Sequence, residues 1–180
     1  RHDGRNASTL LVYCLGPFQV YQGDQPVEDW PNGKGKSIFK YLVTHRERPI
    51  GKEVLMDLFW PNAEASAARN NLNVAIYGLR QAISKTNPCQ SHVLFRDDCY
   101  LLNPDLQIWT DYEEFTRNTK AARALEESGQ EDVAMHHYRI AESLYQGEFL
   151  EEDRYEDWLM PLRQRMQDDY FCLLDRLYRY

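Results

Sequence analysis

The chain has 180 residues, 43% of them hydrophobic and 13% aromatic, and its formal net charge is −7. This length fits one large domain or two small ones, and the aromatic share is enough for a packed core. No run approaches the ~20 consecutive apolar residues of a membrane span, so we expect a soluble protein with no membrane partner. The first residue is arginine and the start is polar, so we expect a flexible tail over residues 1–9 and a chain cut from something longer.

The net charge hides an asymmetry along the sequence. Residues 1–104 hold 12 Lys and Arg against 10 Asp and Glu, whereas residues 105–180 hold 9 against 18. Between residues 30 and 96 the count is 10 basic to 4 acidic. This sorting predicts two parts with different partners, because the basic window can meet phosphate and the acidic half is repelled by it.

The cysteine, histidine and acidic residues form no catalytic or metal-binding pattern. The four cysteines lack the paired spacing of zinc sites, and the adjacent His136 and His137 would point to different sides of a helix. The acidic run over residues 148–153 is typical of a solvated face. We therefore expect no enzymatic activity, no catalytic residue, no metal and no cofactor. Scattered cysteines without a signal peptide favour a reducing, cytoplasmic location.

In chain order, the first elements are strands. Two apolar runs between residues 10 and 21 are split by Gly16-Pro17, then a turn at Gly23-Asp24 leads to a return through Val27. From Gly35 the period becomes helical, and this helix should end near Arg48-Pro49 because proline removes a backbone donor. The residues predicted to face inward from this helix are Ile38, Phe39, Leu42 and Val43.

Two further helices and a hairpin follow in the N-terminal part. A short helix over residues 51–60 should bury Val54, Leu55, Leu58 and Phe59. A longer helix over residues 63–85 has a buried stripe at steps of four, three and four, formed by Leu72, Ile76, Leu79 and Ile83. Two apolar runs around Asp97-Asp98, over residues 93–102, predict a β-hairpin.

Asn103-Pro104 predicts the domain boundary, because the periodicity beyond it is helical throughout. Three helices are expected, ending near Gly129, near Gly147 and at the end of the chain. Their inward residues are predicted to be Tyr112, Phe115, Thr119, Ala122 and Leu125; then Val133, Ala134, Tyr138, Ala141 and Tyr145; then Trp158, Leu159, Leu162, Met166, Tyr170, Leu173 and Leu177. The first two, joined by a short glycine turn, resemble one tetratricopeptide-like hairpin.

The order of strands, two short helices, a longer helix and a hairpin predicts a winged helix-turn-helix, in which the third helix enters the major groove. Outward residues that can face bases are Arg69, Asn70, Asn73 and Tyr77, since Arg and Asn match guanine and adenine edges. Residues that can hold phosphates are Lys34, Lys36, Lys52, Arg80 and Arg96. The same types are also ordinary surface residues, so the pattern alone leaves both interpretations open.

Four segments also resemble the SARP-type bacterial transcriptional activators in the order of that family. The opening LLVYCLGPFQVYQGDQPV is similar to its first strands, and KSIFKYLVTHRERPIGKEVLMDLFWP to its first two helices, including the ending at Trp60. The segment ARNNLNVAIYGLRQAI is similar to its recognition helix. Later, LYQGEFLEEDRYEDW resembles the start of its helical activation domain.

This resemblance implies an α+β fold with two domains and a regulatory function. It implies a response-regulator-type winged helix-turn-helix over residues 10–104 and a partial, all-helical bacterial transcriptional activation domain over residues 105–180. It further implies binding to promoter repeats in double-stranded DNA and recruitment of RNA polymerase. One departure concerns the hairpin, where the family commonly has glycines and this chain has Asp97-Asp98-Cys99. A second is length, because the family's activation domain normally continues beyond residue 180.

An alternative function remains open on the residues alone. The winged helix could have lost contact with DNA and serve as a protein-interaction module in a larger, multidomain signalling protein. The two carboxylates at the hairpin turn and the net charge favour this alternative, whereas the basic window favours DNA. A sensor or ATPase domain of the full-length protein is then a further candidate partner.

Overall fold

A computed structural model of the chain describes residues 9–85 and 91–179. Over these residues the protein is a mixed α and β chain with six α-helices and two small sheets. The elements in chain order are β1 (Leu10–Tyr13), β2 (Gln19–Gln22), β3 (Gln25–Pro26), α1 (Gly35–Thr44), β4 (Ile50–Gly51), α2 (Lys52–Phe59), α3 (Ala65–Ser84), β5 (Val93–Arg96), β6 (Cys99–Leu102), β7 (Ile108–Thr110), α4 (Asp111–Glu127), α5 (Glu131–Leu144) and α6 (Met160–Leu177).

The described residues group into two compact units. One contains Thr9, residues 21–85 and residues 91–107, and the other contains residues 10–20 together with residues 108–179. The sequence placed residues 10–20 with the N-terminal part, so the grouping differs there. The assignment of functional domains to 10–104 and 105–180 stays a prediction, and the tail over 1–9 lies outside the described residues except for Thr9.

The first unit is built on the helical faces that the periodicity predicted. The inward residues predicted for α1 are all buried, and so is the whole predicted stripe of α3. Helix α1 ends at Thr44, four residues before the predicted end at Arg48. The Thr44 hydroxyl donates to the carbonyls of Lys40 and Tyr41, and the His45 ring stacks on Tyr41 with ring centroids 4.1 Å apart. Helix α1 therefore ends before the missing N–H of Pro49 could interrupt its hydrogen bonds.

A three-stranded sheet of order β4-β6-β5 completes the first unit. Strands β5 and β6 pair antiparallel from Val93↔Leu102 to Arg96↔Cys99, which confirms the predicted hairpin. Strand β4 pairs antiparallel with β6, with Ile50 opposite Tyr100. The sequence missed β4, because two residues are too few to show a period.

The second unit combines helices with strand β1. Strand β1 runs parallel to β7, with Leu10↔Ile108 and Val12↔Thr110 in register. Helices α4 and α5 pack against each other, and α6 follows a single 3-10 turn over Asp157–Leu159. A short bridge also joins Leu15 to Phe149. The predicted helices are therefore present, but the strand at β7 was not predicted.

Two residues predicted to face inward are exposed instead. Val54 on α2 and Val133 on α5 each expose 46% of their surface. On α2 the buried positions are Leu55, Met56 and Phe59. Val54 lies about 100° around the helix from Leu55, which turns it away from that stripe. Val133 stands in the same relation to the buried Ala134.

Candidate nucleic-acid interface

The outer face of α3 is open to solvent along its length. The same period that buries the apolar stripe turns the opposite positions outward. Arg69, Asn70, Asn73 and Tyr77 are all exposed, and Tyr77 exposes 66% of its surface. The helix contains no acidic residue. The four residues predicted to face bases therefore lie together on one uncovered, neutral-to-basic helix surface.

The inner side of α3 is held at close range by the start of α1. A Cβ placed on Gly35 would come within 3.0 Å of the Ala75 carbonyl oxygen, and one on Gly78 would meet Pro31 at 2.9 Å. At Gly35 the approach is to the backbone of α3, and at Gly78 it is to the ring of Pro31, so a larger residue at either position would force a neighbour to move. The close contact packs the start of α1 against α3, and Lys34 and Lys36 are the residues on either side of Gly35 in the sequence. Lys34 is exposed and Lys36 is partly exposed.

The β5–β6 hairpin ends in a two-residue turn made of aspartates. Asp97 and Asp98 have φ of 51° and 59°, and both carboxylates are exposed. Positive φ at both central residues is the geometry of the tight turns that match the twist of a hairpin. Aspartate tolerates this conformation better than most residues, although glycine does so at less cost. The exposed Arg96 ends β5 immediately before this turn.

The acidic turn is tied to the first residue of α2. The Lys52 backbone N–H donates to the Asp98 carbonyl at 2.9 Å, and the Lys52 Nζ lies 3.3 Å from the Asp98 carboxylate. The backbone bond satisfies one of the N–H groups that the first turn of a helix leaves without an intrahelical partner. The ion pair neutralises part of the charge of the turn, so Lys52 already has an anionic partner within the protein.

Arg80 has a contact inside the unit as well. Its Nε and Nη2 both donate to the Val93 carbonyl, at 3.2 and 3.1 Å. This fork joins α3 to the start of the hairpin. Burial raises the pKa of the Tyr100 hydroxyl, while the charges of Arg80 and Lys52 oppose that increase, so both cations lie within electrostatic range of β6. Arg80 therefore helps to position the hairpin against α3. The sequence pattern did not predict this role.

One exposed residue of this surface was missed. Val74 lies on α3 with 64% of its surface exposed. The signal was present in the sequence, because Val74 is two residues from both Leu72 and Ile76, which is about 200° around a helix. An apolar residue at that position belongs to the outer face and not to the core.

In the second unit, acidic side chains of the helices are paired with basic ones. A cleft among α4, α5 and α6 is bordered by Arg123, Glu126, Tyr138 and Arg176. Arg123 bonds Asp169 at 2.6 Å, and Tyr138 donates to Glu126 at 2.9 Å. Burial, together with the hydrogen bond to Glu126, raises the pKa of Tyr138 to about 12. This half of the chain therefore contains local ion pairs, Arg123–Asp169 and Arg176–Glu126 among them, and its sequence keeps an excess of 18 acidic over 9 basic residues.

The acidic run before α6 is organised by backbone contacts. The Arg163 guanidinium donates to the carbonyls of Phe149, Leu150 and Asp153.

Within residues 9–85 and 91–179 no group of three or more His, Cys, Asp or Glu side chains is arranged to hold a metal ion. No helix in the described part of the chain has the length and apolar character to cross a membrane.

Comparison with solved structures finds a protein of similar fold. No protein-family model and no curated protein matches the chain. The chain is similar to EmbR from Mycobacterium tuberculosis, determined in complex with a low affinity phosphopeptide, with 22% sequence identity and a TM-score of 0.76. The likeness covers 92% of this chain and 43% of that one, so this chain spans less than half of its neighbour's length. The likeness shows the fold.

Proposed function

We propose that this chain is a sequence-specific, double-stranded DNA-binding regulator of transcription. The observation that carries the proposal is the exposed face of α3, which presents Arg69, Asn70, Asn73 and Tyr77 without an acidic neighbour on the helix. Helix α2 precedes it and the β5–β6 hairpin follows it, an order that fits a winged helix-turn-helix.

In this proposal α3 enters the major groove and its side chains read base edges. Arg69 is suited to guanine, whose O6 and N7 accept two hydrogen bonds, and Asn70 and Asn73 are suited to adenine. The basic residues around the helix hold the backbone, because lysine and arginine supply most contacts to phosphate. The phosphate contacts are made by Lys34, Lys36, Lys52 and Arg96. Lys52 leaves Asp98 to bind its phosphate. Arg80 contributes through the N–H groups that Val93 does not occupy.

The helices after residue 105 form the activating part in this proposal. The resemblance of residues 144–158 to a bacterial transcriptional activation domain supports a tetratricopeptide-like arrangement and a role in recruiting RNA polymerase at promoter repeats. The charge supports a partner other than DNA, because residues 105–180 carry twice as many acidic as basic side chains.

Binding-site selection from random duplexes, followed by titration at several salt concentrations, tests the proposal. Lys34→Ala should weaken binding to every duplex and reduce the slope of log affinity against log salt by about one. Asn73→Ala should relax discrimination at one base pair, by about 1–3 kcal/mol. Lys120→Ala, an exposed lysine on α4, is the matched control and should leave both measurements unchanged.

Two results would contradict the assignment. Equal effects of Lys34→Ala and Asn73→Ala on all duplexes would show that these residues do not divide into phosphate and base contacts. Failure of the wild-type chain to bind any duplex, even at low salt, would end the DNA-binding proposal.

A second candidate is a protein-interaction module of a larger signalling protein. The aspartates at the hairpin turn favour it, because two exposed carboxylates at that position repel phosphate. A mobility shift with random duplex across a salt series separates the two candidates. Binding that weakens steeply with salt supports DNA, and its absence supports the interaction module.

A further inference from the structure

The exposed face of α3 contains an apolar pair at its centre. Val74 and Tyr77 expose 64% and 66% of their surfaces, although both lie in the middle of a 20-residue helix. We infer that these two side chains read the 5-methyl groups of thymine, so that the DNA site contains A·T pairs beneath the middle of α3. This inference rests on the proposed function and specifies what the same surface recognises.

The spacing places the pair among groups that can hydrogen-bond to bases. Val74 lies four residues after Asn70 and three before Tyr77, so each is a neighbour on the helix surface with Cβ atoms about 5–6 Å apart. Asn73 precedes Tyr77 by four residues and lies beside the pair. The apolar patch is therefore one helical turn long and is bordered by two asparagines.

The chemistry of the major groove selects thymine for such a patch. The thymine methyl is the apolar group among the base edges in that groove, and the other edges present hydrogen-bond donors and acceptors. An asparagine that pairs with adenine and a valine that contacts thymine would together recognise one or two adjacent A·T pairs. Burying one methyl group corresponds to a change in affinity of about fourfold.

Valine at position 74 does not stabilise helix α3. A β-branched side chain loses χ1 freedom in a helix, and valine has a lower helix propensity than alanine. Because Val74 is exposed, replacing it with alanine removes no core contact. The variant should therefore remain folded, and a change in its DNA binding reports on the groove.

The test replaces thymines by uracil in the duplex selected by the wild-type chain. Uracil lacks only the 5-methyl group, so each replacement removes one apolar contact and leaves every hydrogen bond in place. We expect one or two such replacements to weaken wild-type binding about three- to fourfold each. Val74→Ala should bind the thymine duplex with a similar loss and should no longer distinguish thymine from uracil at one of those positions.

Matched variants complete the experiment. Val133→Ala makes the same chemical change at an exposed helical valine on α5 and should keep the full uracil effect. Tyr77→Phe should retain discrimination at the second position, whereas Tyr77→Ala should lose it. A selected site without A·T pairs, or a uracil effect that is absent in the wild type or unchanged in Val74→Ala, overturns the inference. In each of those cases the wild-type chain still binds DNA, whereas no binding at all overturns the proposed function instead.

Discussion

Replacing Asp111 with asparagine should remove a pH-dependent part of the free energy of unfolding. Asp111 is the first residue of α4 and only 2% of its surface is exposed. Its two carboxylate oxygens accept hydrogen bonds from the backbone N–H groups of Cys14 and Leu15, at 2.7 and 2.9 Å. Burial raises the pKa of this carboxyl from 3.8 to about 6, against the opposing effect of the backbone N–H groups.

The sign follows from the two pKa values. Below about pH 3 the carboxyl is largely neutral in both the folded and the unfolded chain, so its contribution to stability is fully present. As the pH rises towards 6, the unfolded chain ionises first, and the folded chain is destabilised relative to it. A shift of this size corresponds to a total loss of about 3 kcal/mol, of which about 2–2.5 kcal/mol falls between pH 4 and pH 7.

Urea unfolding of wild type and Asp111→Asn at pH 4, 5, 6 and 7 measures this loss. The unfolding free energy of the wild type minus that of the variant should fall by about 2–2.5 kcal/mol as the pH rises from 4 to 7. Asp132→Asn, an exposed carboxylate in the first turn of α5, is the control and should change stability by less than about 1 kcal/mol. A difference that stays constant from pH 4 to pH 7 would refute the reasoning.

Three further changes probe the candidate interface. Asp98→Asn keeps a residue that tolerates positive φ, and it removes a carboxylate that repels phosphate and pairs with Lys52. DNA affinity should therefore rise in anisotropy titrations, and an unchanged affinity would count against a hairpin that approaches phosphate. Arg80→Ala removes both hydrogen bonds to the Val93 carbonyl, so it should lower the free energy of unfolding in urea by about 1–2 kcal/mol. An unchanged free energy of unfolding would exclude the positioning role. Gly78→Ala should destabilise the chain by about 1–3 kcal/mol in the same assay, because its Cβ would meet the Pro31 ring at 2.9 Å. A gain in stability would show that Pro31 moves aside.

The sequence determined the helices and the surface that they expose. The buried stripe of α3 was predicted residue by residue, and its complement gave Arg69, Asn70, Asn73 and Tyr77 as outward positions. This works because helical periodicity is a local property, set by a repeat of 3.6 residues and readable within about 20 residues. Val54 and Val133 were placed wrongly because one residue at the edge of a stripe is ambiguous without its neighbours in space.

Only the tertiary structure decided which distant residues are partners. Lys52 and Asp98 are separated by 46 positions, and Cys14 and Asp111 by 97. Such pairs leave no period in the sequence, since a short strand or a single ion pair forms only when the rest of the chain brings both ends together. Arg80 illustrates the consequence. Its charge predicted a phosphate contact. Its contact with the Val93 carbonyl could not be predicted, because Val93 comes within reach only when the hairpin packs beside α3.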